Sequence, residues 1–202
     1  MRVVVDWDGT VTEVDGLHLV LQEFGDQRIY DAAENRLGRD LTLHEVIALE
    51  FESVGAPLPD VVAWMRENVR IRAGFDEFAR AYDPLIVSSG FRELIEPLLA
   101  REGLELDVVA NRLDPRPEGW RVLFREAGSC GVCGEPCKRA DVVGDEEFVY
   151  VGDGFSDRCV ALAASRVFAR DGLAEYLAAR EVPFEPFEDF HDIAGALACD
   201  AT

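Results

Sequence analysis

Val3-Val4-Val5-Asp6-Trp7-Asp8-Gly9-Thr10-Val11-Thr12 opens the chain with a short β-branched run that ends on two aspartates and a glycine. Three valines in a row read as a strand buried on both faces. The pattern recurs twice. Leu85-Ile86-Val87 runs into Ser88-Ser89-Gly90, and Phe148-Val149-Tyr150-Val151 runs into Gly152-Asp153-Gly154-Phe155-Ser156-Asp157. Helix-period segments follow. Phe91, Leu94, Ile95, Leu98 and Leu99 form one stripe, with a kink expected at Pro97. Val160, Ala161, Ala163 and Ala164 suggest a small-residue helix face, and Val167-Phe168-Ala169 a further strand. Strands alternating with helices predict an α/β fold with an open, mostly parallel, Rossmann-like sheet.

The stretch between the first two strands is far longer than one crossover helix needs. Leu17, Val20, Leu21 and Phe24 fall at helical spacing. Thr42 and Glu45 fit a capping box ahead of Val46, Ile47 and Phe51. Leu58, Val61, Val62, Met65 and Val69 make a third stripe. The expected organisation is a core from residues 1–13 and 74–202, with a small helical cap at 14–73 inserted after the first strand.

The 202 residues carry 40 acidic and 20 basic side chains, a net charge of −20. So acidic a chain is a poor partner for nucleic acid or an anionic membrane, which need basic patches. No apolar run approaches the roughly 20 residues of a membrane helix. Met1-Arg2 leads straight into the first strand without a signal-peptide pattern, so a cytoplasmic protein is expected. The oligomeric expectation is a monomer or homodimer. Nineteen basic residues are Arg and one, Lys138, is Lys. A compact ammonium is not interchangeable with a guanidinium, so Lys138 is a candidate site residue before any motif is considered.

In open α/β sheets, ligands bind beyond the carboxyl ends of the strands. Asp6, Asp8, Ser88, Asp153 and Asp157 all follow strand-like runs, and Lys138 lies just upstream of the third. Crowded carboxylates repel one another unless a cation neutralises them. An oxygen-only set that shares its ion with a phosphate suits Mg²⁺. Asp6 is placed to attack phosphorus as a carboxylate nucleophile. Asp8 is placed to protonate the leaving oxygen and then deprotonate water. Gly9 allows close backbone approach, Ser88 a phosphoryl hydrogen bond, and Lys138 a countercharge to the transition state. Asp153 completes the metal site; Asp157 joins it, or orients Lys138 or a metal-bound water. Alone, each of D-x-D-G, S-S-G and G-D-G is an ordinary turn. Their order at the ends of three strands is what points to phosphate chemistry.

These stretches resemble the haloacid dehalogenase superfamily, in its phosphoserine-phosphatase-like branch. DWDGTVT matches the first family motif, VSSG the second, Lys138 the third and GDGFSD the fourth. The resemblance implies Asp6 as nucleophile, Asp8 as acid/base, and Mg²⁺ held by Asp6, the Asp8 carbonyl and Asp153. It places substrate contacts at Gly9, Thr10, Ser88, Ser89 and Gly90, and at Asp15, where Glu is usual and where a helix N-cap is the competing role. Further stretches, ANRL at 110–113, CGVCGEPCKR around Lys138 and VFARDGL…VPFEPFEDFHDI near the end, are similar to 2-hydroxy-3-keto-5-methylthiopentenyl-1-phosphate phosphatases of methionine salvage. Trp7 stands where the family usually has Phe, and Gly134-Glu135-Pro136 interrupt its usual C-x-x-C-K. The implied substrate is a small phosphorylated metabolite: that enol phosphate, or phosphoserine, phosphocholine or phosphoethanolamine. Phosphotransfer, and a receiver-like phospho-accepting module, use similar residues; a receiver needs neither Asp8 nor a helical insertion.

Cys130, Cys133 and Cys137 form C-x₂-C-x₃-C, one ligand short of a zinc site. Cys159 or His191 could complete it in space, and redox-active or plain thiols are the other readings. His18 is expected at the surface, with the site as the alternative; Arg92 is expected on a solvated helix face, with an anionic substrate tail as the alternative; His191 is expected in a structural role.

Overall fold

The computed structural model describes residues 2–125, 128–142, 144 and 147–199. Its strands are β1 (Arg2–Val5), β2 (Leu85–Phe91), β3 (Val108–Asp114), β4 (Arg121–Leu123), β5 (Phe148–Gly152), β6 (Arg166–Ala169) and β7 (Glu185–Pro186). They form one sheet in the order β4-β3-β2-β1-β5-β6-β7, parallel except for β4. β1 is central, and its valines show why. Val3 and Val5 belong to one core and Val4 to the other, all 2% exposed or less. Side chains alternate across a strand, and burying each valine contributes ~1.5–3 kcal/mol. Val149 and Val151 likewise face one core while Phe148 and Tyr150 face the other. Only continuous apolar runs can fill such positions.

The chain steps from β1 to β2 and β3 on one side, then crosses to β5 on the other. The β1/β5 boundary is therefore the point where strand order reverses, and a crevice opens there beyond the carboxyl ends.

Between β1 and β2 lie α1 (Gly16–Phe24), α2 (Gln27–Glu34), α3 (Leu43–Phe51), α4 (Leu58–Asn68) and α5 (Phe75–Tyr82). The Asp15 carboxylate caps α1 by accepting from the His18 N–H at 2.9 Å. α3 starts with the expected capping box, Thr42 and Glu45 each bonding the other's backbone N–H. Phe51 at the end of α3 packs edge-on to Phe91 of β2, 4.7 Å between centroids, and stacks on the buried Trp120. Thr12 pairs with Ile71, so the segments entering and leaving α1–α4 run side by side. The chain reverses before and after these helices at glycines: Gly9 and Gly74 sit at φ +77°, a region only glycine enters freely.

The remaining helices are α6 (Arg92–Arg101), α7 (Lys138–Val142), α8 (Arg158–Ala161), α9 (Asp171–Ala178) and α10 (Phe190–Cys199). α6 buries Leu94, Ile95, Leu98 and Leu99 as expected and continues through Pro97. α8 is shorter than its alanine pattern suggested: Ala163 and Ala164 already lie in the turn leading to β6. No helix among the described residues is long and apolar enough to cross a membrane.

Candidate active site

Asp6 follows β1 directly and is 5% exposed. The Trp7 N–H donates to its Oδ1 at 2.6 Å, and Lys138 Nζ lies 2.5 Å from the same oxygen. Lys138 opens α7, is 1% exposed, and also reaches Asp157 Oδ1 at 2.7 Å. One ammonium thus bridges two buried carboxylates that begin on different strands. A buried charge survives only when paired and hydrogen-bonded.

Asp157 is fully saturated with donors. Lys138 and the Tyr150 hydroxyl (2.6 Å) donate to Oδ1; the N–H groups of Asp153 and Gly154, each at 2.9 Å, donate to Oδ2. Burial opposes its ionisation, but the Lys138 charge and the Gly154 N–H hold its carboxyl below the ordinary range. Burial likewise opposes the Lys138 charge, and Asp157 and Asp6 override it and raise its pKa. Of the expected placements of Asp157, the contact with Lys138 is present.

Asp6, Asp8 and Asp153 behave in the opposite way. Burial, reinforced by the Asp157 charge, pushes Asp6 well above the usual carboxylate range. Burial and Asp15 push Asp8 up to about 8. Burial and Asp157 push Asp153 up to about 7. Without a cation, Asp8 and Asp153 retain protons near neutrality. Asp6, Asp153 and Asp157 each bring an oxygen within 4.8 Å of the others. Carboxylates this close, all-oxygen and short of positive charge, fit Mg²⁺ in donor chemistry and in charge.

A cavity of about 200 Å³ opens over these groups. Asp6, Asp8 and Asp153 line its floor together with Ser88, Ser89 and Gly90. Ser88 Oγ accepts from the Gly90 N–H at 2.8 Å and donates to Asp8 Oδ2 at 3.4 Å. A Cβ at Gly90 would sit 2.9 Å from Asp8 Oδ2, so glycine leaves the acid room. Leu17, Leu21, Leu37, Leu43, Val46 and Ile47 form an apolar wall, and Asp15, His18, Tyr30, Glu34 and Glu50 a polar one. Asp15 thus both caps α1 and lines the cavity.

Two expected contacts lie elsewhere. Thr10 is fully buried off the cavity, and its hydroxyl donates to Asp153 Oδ1 at 2.6 Å. Gly9 is also off the cavity, and a Cβ there would run into the Asp153 carboxylate. Both therefore lie against Asp153. The extended conformation at Asp8 and the turn at Gly9 point this part of the loop back toward β5. His18 takes the second of its two expected placements: it lines the cavity and packs on Tyr30 at 4.7 Å between centroids. Arg92 pairs with Glu96 on an exposed helix face, and the His191 ring sits against Gly74.

Several contributors carried no motif. Arg72, 8% exposed, donates to the carbonyls of Gly9 (2.7 Å), Thr10 (2.7 Å), Thr12 (3.1 Å), Glu13 (3.2 Å) and Glu188 (3.2 Å). Arg125 holds the Ser88 carbonyl at 2.8 Å, and Asn111 the Ser89 carbonyl at 2.8 Å. Glu50 is 5% exposed at the cavity wall. Burial, with Glu34 and Asp15, pushes its carboxyl up to about 8.

A family model for haloacid dehalogenase-like hydrolases matches residues 3–162. Among curated proteins, the chain is similar to the 2-hydroxy-3-keto-5-methylthiopentenyl-1-phosphate phosphatase of Bacillus mycoides (strain KBAB4), 25% identical with 98% of this chain and 95% of that protein covered. The protein of the same name from Lysinibacillus sphaericus (strain C3-41) is 27% identical over 94% and 90%. Among solved structures, a phospho-aspartyl intermediate analogue of phosphoserine phosphatase superposes with a TM-score of 0.67 at 18% identity, covering 96% of this chain and 97% of that one. Phosphoserine phosphatase from T. onnurineus, in complex with NDSB-201, gives a TM-score of 0.65 at 18% identity, covering 95% and 92%. The sheet order, the paired aspartates after β1 and the Lys138–Asp157 bridge thus sit within a match that spans most of the chain, and the protein belongs to the haloacid dehalogenase-like hydrolase family.

Proposed function

We propose that this protein hydrolyses a small phosphate monoester through a phospho-aspartate formed on Asp6. The observation that carries this reading is the buried Lys138 bridging Asp6 and Asp157 beneath a cavity that Asp8 and Ser88 also line. Lys138 and the Trp7 N–H occupy Asp6 Oδ1, which leaves Oδ2 as the attacking oxygen. Its attack forms the new O–P bond as the P–O bond to the alcohol breaks. Asp8, protonated at neutral pH, passes its proton to the departing oxygen. As a carboxylate it then takes a proton from the water that attacks the phospho-aspartate. Asp8, Gly90 and Ser88 crowd one another, so Ser88 keeps Asp8 aimed at the scissile bond. Mg²⁺ held by Asp6, the Asp8 carbonyl and Asp153 would neutralise the phosphate and let these carboxylates ionise together. The α1–α4 segment acts as a cap whose closure excludes water until the phospho-aspartate has formed.

The cavity supports 2-hydroxy-3-keto-5-methylthiopentenyl-1-phosphate as the first substrate. The six aliphatic wall residues suit its methylthio tail. Glu50 Oε1 and His18 Nδ1 are buried at that wall without a protein partner, ready for its hydroxyl and keto oxygens. A second reading is phosphocholine or phosphoethanolamine, favoured by Asp15, Glu34 and Glu50 around Tyr30. Phosphoserine fits less well, because its carboxylate would face those acids with no Lys or Arg on the wall.

Phosphate release from these four substrates, with and without Mg²⁺, tests the reading in wild type and Asp6→Asn. Mg²⁺-dependent release that Asp6→Asn abolishes is the expected result. No release from folded, Mg²⁺-loaded wild type would overturn it, and stable label on Asp6 without turnover would point to phosphotransfer or a receiver role.

A further inference from the structure

The fourth ligand that the C-x₂-C-x₃-C stretch lacks in sequence is present in space. The Sγ atoms of Cys130, Cys133, Cys137 and Cys159 all lie within 4.8 Å of one another. Cys133 and Cys137 are 3.5 Å apart, and Cys130 and Cys159 3.8 Å. Four thiolates at about 2.3 Å from a tetrahedral Zn²⁺ stand about 3.8 Å apart, so these spacings need little adjustment. All four cysteines are reduced. Disulfide chemistry would need only pairs, whereas a metal needs four sulfurs converging on one point.

The backbone is arranged for such a site. The Gly134 N–H donates to the Cys130 carbonyl at 2.8 Å, and the Cys130 N–H to the Glu135 carbonyl at 3.0 Å. This folds residues 130–135 into a tight turn, with Gly134 at φ +78°. The Val132 N–H points at Cys130 Sγ at 3.4 Å, a bond that favours thiolate over thiol. Among the described residues of this segment, the Cys130 side chain is buried at 7% exposure, whereas Val132 is 62% exposed and Gly128, Gly131 and Gly134 supply no side chain. Small segments without a core are the usual setting for structural zinc.

We propose that Cys130, Cys133, Cys137 and Cys159 bind one Zn²⁺ as a tetrathiolate that fixes Lys138 in the active site. Cys137 directly precedes Lys138, and Cys159 follows Asp157 by two residues at the start of α8. The metal would therefore tie together the two chain segments that meet in the Lys138–Asp157 ion pair. The carboxylate site for Mg²⁺ is a separate group: hard oxygen ligands at Asp6 and Asp153, soft sulfur ligands at the four cysteines. The zinc site stands whatever the substrate is; only its effect on turnover rests on the proposed phosphatase activity.

The test starts with reduced wild type, purified with zinc in the medium and desalted, assayed by elemental analysis. One equivalent of zinc is expected, released by an organomercurial as the four cluster thiols react, with Cys199 as the fifth thiol in the total titration. Cobalt(II) added to the metal-free protein should give thiolate-to-cobalt charge transfer and the visible bands of a tetrahedral site. Asp153→Asn and Cys199→Ser should keep that spectrum. Cys133→Ser, at the most exposed of the four positions, should lose it. Removing zinc at saturating Mg²⁺ should lower kcat roughly tenfold to a hundredfold with a smaller change in KM, and zinc should restore it. Absent zinc with no cobalt–thiolate absorption, a spectrum that survives Cys133→Ser, or disulfides in place of the four thiols would overturn the metal site. Iron in its place would overturn the assignment to zinc. Unchanged kcat after complete zinc removal would overturn the positioning role while leaving the metal site standing.

Discussion

Replacing Arg72 with Met should cripple the loop that carries Asp6 and Asp8. Methionine keeps much of the side chain's length and apolar packing but removes every donor. Five carbonyls lose a partner: those of Gly9, Thr10, Thr12, Glu13 and Glu188. The bonds to Gly9, Glu13 and Glu188 are partly exposed, so water can replace the guanidinium there. The bonds to Thr10 and Thr12 are buried. A buried carbonyl left without a donor costs ~1–3 kcal/mol, so the two together predict a loss of ~2–6 kcal/mol. Relief from burying a charge offsets part of this, since burial, with Arg170 nearby, already lowers the Arg72 pKa. Urea denaturation of metal-free protein should show the loss as a lower midpoint at unchanged slope. Because Gly9 and Thr10 lie against Asp153, and Asp8 lies one residue earlier, kcat should fall by at least about tenfold with a smaller change in KM. Arg72→Lys should recover part of the stability: it restores a charge, but from one point that cannot fan out to all these oxygens. A stability change under about 1 kcal/mol together with unchanged kcat would refute the clamp.

Tyr150→Phe removes one donor to Asp157; hydrogen bonds to charged groups contribute ~1.5–3 kcal/mol, so stability above neutral pH and kcat should both drop, and a wild-type kcat would contradict the role. Glu50→Leu should raise KM for a substrate with hydroxyl or keto oxygens and leave a plain aryl phosphate unaffected, which steady-state kinetics on both substrates checks. The raised pKa values of Asp8, about 8, and Asp153, about 7, carry a definite sign. Groups protonated more readily in the folded state stabilise below their unfolded pKa of about 4 and lose that contribution as pH rises through the folded value. In EDTA, Tm should therefore fall between about pH 5.5 and pH 8.5, Asp8→Asn should flatten the fall, and Mg²⁺ should reverse it; a Tm that rises over that range in EDTA would contradict the assignment.

The strands that carry the chemistry were legible because each is a continuous apolar run, and β1, β2 and β5 are buried on both faces. β3, β4 and β7 were not anticipated. β3 breaks its apolar run with Asn111 and Arg112, β4 has three residues and β7 two, so they form by pairing with neighbours rather than by their own pattern. α3 and α6 were readable from capping and spacing, which are local properties. The sequence left His18 between surface and site because a half-apolar helix has the same periodicity whether it faces water or a cavity.

The sequence by itself determined the order of the reactive groups: Asp6 and Asp8 after one strand, Ser88 after the next, Lys138 and then Asp153 and Asp157. Those are facts of adjacency, and buried strands and tight turns are written in adjacent residues. Only the tertiary structure decided who touches whom. It joined Lys138 to Asp6 across the sheet, set Tyr150 against Asp157, spread Arg72 over five carbonyls, and brought Cys159 to three cysteines more than twenty residues earlier. Those pairings depend on how β1 and β5 register and where α7 and α8 dock, which long-range packing sets and local pattern does not.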